Sequence, residues 1–142
     1  ADVPAKLAYD RLEFQRFISA NNLTRFRMNP HFPINTLPLM RAIVAARHEA
    51  VFEQAVEAMM VAMWEDSINL SDPEEIANAF DRGGVDGKRL LERASEDAIK
   101  AELAQNTASA VERGAFGIPT FFVGDEMWFG KERLAQVAEA LG

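Results

Sequence analysis

The segment GAFGIPTFFVGDEMWFG, residues 114–130, decides how the chain reads. Thr120 to Val123 is a short run of β-branched and aromatic residues, Gly124-Asp125 supplies a tight turn, and Met127 to Phe129 runs back. That order predicts a β-hairpin. Pro119 stands directly before the first strand, where a residue without an N–H is tolerated. Taken with these residues alone, its bond to Ile118 reads as an ordinary trans peptide at a strand start. Downstream, Leu134, Val137, Ala138 and Leu141 recur at helical spacing and predict a final amphipathic helix. A two-stranded hairpin is marginal alone. It needs cover from the helices or from further strands.

Upstream the pattern is helical. Residues 4–20 read as a helix, with Pro4 in the first turn, apolar residues at Leu7, Leu12, Phe14, Phe17 and Ile18, and a stop at Asn21-Asn22. Thr24 to Met28 reads as a short extended stretch. Pro30, Pro33 and Pro38 exclude regular helix across NPHFPINTLP and predict a structured loop. Leu39 to Ile68 is expected to be helical, broken near Arg47-His48-Glu49. Met59, Met60 and Met63 fall on one stripe, which reads as core packing or as an adaptable ligand surface. In SDPEE, Asp72 is the expected cap, Pro73 the first helical residue and Glu75 the capping-box partner. That helix should stop at Gly83-Gly84. Asp86 opens a short helix containing Leu90 and Leu91, and Ser95 is expected to cap another that ends at Gly114. The acidic residues at these starts read as caps answering the helix dipole, not as a catalytic pair.

The composition narrows the function. The 142 residues are 49% hydrophobic and 26% charged, as in a globular domain. No apolar run approaches the ~20 residues a membrane span needs. A net charge of -7 argues against nucleic acid as partner. There is no cysteine, which excludes a disulfide framework, a thiolate metal site and a cysteine nucleophile within this segment. His31 and His48 form no zinc-ligand pattern and read as structural or surface residues. Nothing resembles a signal peptide, and the expected location is cytoplasmic.

GAFGIPTFFVGDEMWFGKERL resembles the C-terminal signature of the 2-hydroxychromene-2-carboxylate isomerases, which belong with the kappa-class glutathione transferases and the disulfide-bond oxidoreductases of the thioredoxin-like superfamily. PAKLAYDRLEFQRF, NPHFPINT and AMWEDSINLSDPEEIA are similar to successive segments of the same family, so the resemblance covers nearly the whole chain. It implies an α/β thioredoxin-like fold with a large helical insertion. Here residues 1–113 would form a helix, connecting loop and insertion, and residues 114–142 the C-terminal ββα part.

The resemblance also implies a ligand, glutathione. It implies a cis peptide between Ile118 and Pro119, with the main chain of Ile118 pairing with the cysteinyl part of the tripeptide. Lys131 and Glu132, opening the last helix, would meet the glutamyl end through free N–H groups and an acidic side chain. Glu132 stands where the family usually has Asp. Both residues also read as an ordinary solvated first turn. Lys6 matches a family lysine near the ligand and reads otherwise as a surface residue. Asn29, Asn35 and Trp128 are further substrate-binding candidates, with loop fixing and hairpin packing as the alternatives.

The family's catalytic serine lies in a βαβ unit that is expected upstream of this segment, and Ser19, Ser67, Ser71, Ser95 and Ser109 do not match its context. The implied activity is glutathione-dependent isomerisation of 2-hydroxychromene-2-carboxylate-type compounds to open-chain benzylidene pyruvates by a homodimer. A kappa-like glutathione transferase, or a non-catalytic self-associating helical module, are the alternatives.

Overall fold

Among the described residues, 4–142 of a computed structural model, seven α-helices and one hairpin follow in chain order. They are α1 (Pro4–Ala20), α2 (Leu37–His48), α3 (Phe52–Trp64), α4 (Pro73–Arg82), α5 (Gly87–Ala94), α6 (Asp97–Glu112), β1 (Thr120–Val123), β2 (Glu126–Phe129) and α7 (Leu134–Leu141). A 3-10 turn, Lys131–Arg133, precedes α7. The chain forms two compact units, one reaching Lys100 and the other Ala101–Gly142.

In the first unit α2 packs on α3 and α5, and α4 packs on the same two helices. Alanines at 42, 45 and 46 of α2 and at 55, 58 and 62 of α3 are buried, so these helices approach closely. Phe80, Leu70, Ile76 and Leu90 fill the centre at 1% exposure or less. Each contributes roughly 1.5–3 kcal/mol relative to an exposed position. The helix α1 buries no side chain. Phe14 meets Phe26 edge-on at 5.2 Å, and Phe26 stacks on Trp64 at 5.9 Å.

Local starts follow the sequence. The Asp72 carboxylate accepts from Glu74 N–H at 2.9 Å, and that of Asp86 from Arg89 N–H at 2.9 Å. The capping box at Glu75 is not closed, because Asp72 N–H donates to Asn69 C=O instead. Ser95 lies at the end of α5, and its hydroxyl turns back to Leu91 C=O at 3.4 Å, so it does not cap α6.

The expected helix through Ile68 ends at Trp64. The loop before α2 supplies the reason: Asn29 Nδ2 donates to Met63 C=O and Arg27 N–H to Trp64 C=O. Carbonyls left open at a helix end are thus satisfied by chain more than thirty residues away. Thr24 to Met28 forms a turn and irregular chain rather than a strand. Phe32–Pro33 is cis, which the sequence reading did not anticipate. The methionine stripe divides: Met59 and Met63 are buried, while Met60 is 55% exposed.

In the second unit β1 and β2 pair antiparallel, with Thr120 opposite Phe129 and Phe121 opposite Trp128. Gly124, at φ 58, makes the turn that a side chain would hinder. Pro119 C=O accepts from Gly130 N–H at 3.0 Å, extending the ladder by one residue. The helix α7 packs on β1 and buries Val137.

Candidate functional site

The bend before β1 is built by short-range restraints. Thr120 Oγ1 donates to Gly117 C=O at 2.6 Å, and Pro119 C=O is held by Gly130. Phe116 packs against Phe129 with ring centroids 4.7 Å apart. The Ile118–Pro119 peptide is cis. Between these restraints Ile118 is 92% exposed, and among the described residues its N–H and C=O make no hydrogen bond. It presents one main-chain donor and one acceptor without a partner among the described residues.

Beyond β2 the chain turns at Gly130 into the 3-10 turn that carries Lys131 and Glu132. The Glu132 carboxylate pairs with the Lys131 ammonium. That pair, together with the glutamate's own N–H, holds its carboxyl below the usual carboxylate range. Trp128 is half-buried in β2 opposite Phe121. Ile118, Pro119, Trp128, Lys131 and Glu132 therefore share the second unit.

The other expected residues lie in the first unit. Lys6 is exposed on the first turn of α1. Asn29 is 2% exposed. Its amide donates to Met63 and Ile68 carbonyls at 3.0 and 2.8 Å, and its Oδ1 accepts from His31 N–H at 2.8 Å. This side chain is spent on fixing the loop. Asn35 Oδ1 accepts from Leu37 N–H at 3.1 Å and shapes the entry to α2. Two open grooves on this unit, about 680 and 610 Å³, flank α3 at Glu57 and Val61 and contain none of the three.

Residues outside the expected set also shape this surface. The Arg113 guanidinium lies 3.8 Å from the centre of the Phe122 ring and donates to Gly124 C=O at 3.0 Å, clamping the hairpin. An arginine just after a helix gives no local sign of such a role. Phe116 and Phe129 were visible only as hairpin flank and strand. Their contact depends on the register.

A family model described as the DSBA-like thioredoxin domain matches residues 2–142. The chain belongs to this family. Among its relatives is the 2-hydroxychromene-2-carboxylate isomerase of Pseudomonas putida, 28% identical over 144 positions, covering 99% of this chain and 68% of that protein. The isomerase of the same name from Pseudomonas sp. (strain C18) is 36% identical over 88 residues, 61% of this chain and 41% of that protein. Human glutathione S-transferase kappa 1 is 26% identical, covering 87% of this chain and 64% of its own. A solved structure of selenomethionine 2-hydroxychromene-2-carboxylate isomerase superimposes with a TM-score of 0.74 at 27% identity, over 97% of this chain and 66% of that one. The DSBA-like chain thus spans between about two fifths and two thirds of the length of these relatives.

Proposed function

We propose that this protein is a glutathione-dependent isomerase of 2-hydroxychromene-2-carboxylate-type intermediates of aromatic degradation, acting in the cytoplasm as a homodimer. The observation that carries the glutathione reading is Ile118, a 92% exposed residue whose main-chain N–H and C=O make no hydrogen bond among the described residues. An extended peptide recognises such a pair as it would a strand edge, and the cysteinyl unit of glutathione fits that demand. The glutamyl end would meet the Lys131–Glu132 pair, whose two charges offer one partner each to its carboxylate and ammonium. When bound, glutathione supplies a thiolate that adds reversibly to an unsaturated acid. The residues of this chain hold and orient it. Trp128 is assigned to the aromatic substrate, whereas Asn29 and Asn35 act through the loop. The relatives named isomerase support this choice of reaction.

The relative named glutathione S-transferase kappa 1 favours a second reading, transfer of glutathione to an electrophile. One assay separates the two. The protein is incubated with glutathione and 2-hydroxychromene-2-carboxylate while product absorbance and free thiol are followed together. Isomerisation gives product with the thiol unchanged; stoichiometric thiol loss would replace the isomerase by the transferase. No dependence on glutathione would sink both.

A further inference from the structure

We infer that Phe129 is a positioning residue that sets the main chain of Ile118. The inference rests on the glutathione reading above. The Phe129 ring covers Gly117, the residue before Ile118: a Cβ built on Gly117 would lie 2.7 Å from Phe129 Cε2 and 3.2 Å from Cζ. A side chain at 117 would therefore force the ring at 129 to shift. The same ring packs on Phe116 at 4.7 Å. The Phe129 backbone is placed by its pairing opposite Thr120, and Thr120 Oγ1 donates to Gly117 C=O. The peptide before Ile118 is thus met by a ring on β2 and by a hydroxyl on β1. Ile118 has no hydrogen bond of its own among the described residues, and the residue is 92% exposed. Its placement is inherited from these neighbours. The consequence is that a residue with no atom assigned to glutathione controls its affinity through the geometry of one main-chain donor and acceptor.

The test uses the full chain, with glutathione binding by calorimetry and the resonances of Gly117, Ile118, Val123 and Glu126 by NMR. Phe129→Leu is expected to move the Gly117 α-proton signals out of the ring-current field and shift the Ile118 amide. Val123 and Glu126 at the turn should stay in place. Glutathione affinity should fall about three- to tenfold, the worth of one net main-chain hydrogen bond. Phe129→Tyr keeps the ring and should keep both readouts, a rescue that a general loss of stability would not give. Should Phe129→Leu unfold the hairpin, Gly117→Ala presses on the same contact from the other side and should shift the Phe129 ring and Ile118 amide signals together. Unchanged Ile118 signals in Phe129→Leu or, if that variant unfolds, in Gly117→Ala would overturn the inference. So would unchanged glutathione affinity in a folded Phe129→Leu. A parent protein that does not bind glutathione, while Phe129→Leu still displaces Ile118, would sink the function reading and sustain the hold of Phe129 on the bend.

Discussion

Glu49, directly after α2, receives Arg89 through Nε at 2.9 Å and Nη2 at 3.0 Å, and Arg93 through Nη1 at 2.5 Å. The Arg89 hydrogen bonds, then that of Arg93, pull its carboxyl down to about 2. A group depressed on folding stabilises the folded chain above its unfolded value and loses that contribution as the pH falls through its folded value. The advantage of the parent over Glu49→Gln is therefore expected to be constant from neutral pH to about 4.5, and to shrink from there toward about 2. Urea midpoints of both proteins at pH 7 and pH 3 check this; an equal gap at both would remove the ion pair as its cause. None of this was legible beforehand. The segment Arg47-His48-Glu49 announced a helix break, but the arginines lie 40 and 44 residues on. Asp72 was legible because its partner is two residues away.

Between elements, the α4–α5 contact depends on one missing side chain. Gly87, the first residue of α5, is buried, and a Cβ there would sit 2.7 Å from Ala77 Cα of α4. Backbone cannot swing aside as a side chain can, so Gly87→Ala is expected to cost about 1–3 kcal/mol. A chemical denaturation curve with unchanged slope and a lowered midpoint would record it, and an unshifted midpoint would refute the close approach. The sequence presented this glycine only as the residue after a cap. Helix existence was legible throughout from apolar spacing, and the hairpin from its turn. The end of α3 was not, because Ile68 follows Trp64 at a helical spacing of four while the loop residues Arg27 and Asn29 claim the helix's last carbonyls.

Across the whole molecule the two units differ in what they bury. The first encloses Phe80, Leu70, Ile76 and Leu90; in the second, Val137 is the hydrophobic side chain that falls in the buried class among the described residues. Opening free energies follow buried apolar contact. Amides of β1 and α7 are expected to exchange with solvent at least ~10-fold faster than those of α3 and α4, a gap of about 1.4 kcal/mol or more. Equal protection in native-state exchange would show the second unit to be as firmly held as the first. The divided methionine stripe gives the molecule a chemical asymmetry as well. Met28 at 61% and Met60 at 55% exposure offer their sulfurs to a peroxide, whereas Met59 at 5% and Met63 at 8% do not. Oxidant should therefore write sulfoxide first on the former pair, and peptide mass mapping over time would read that order. Met63, 8% exposed with its sulfur 3.3 Å from Asn29 Nδ2, is expected to be oxidised only once the fold has opened, so its sulfoxide would serve as a record of unfolding.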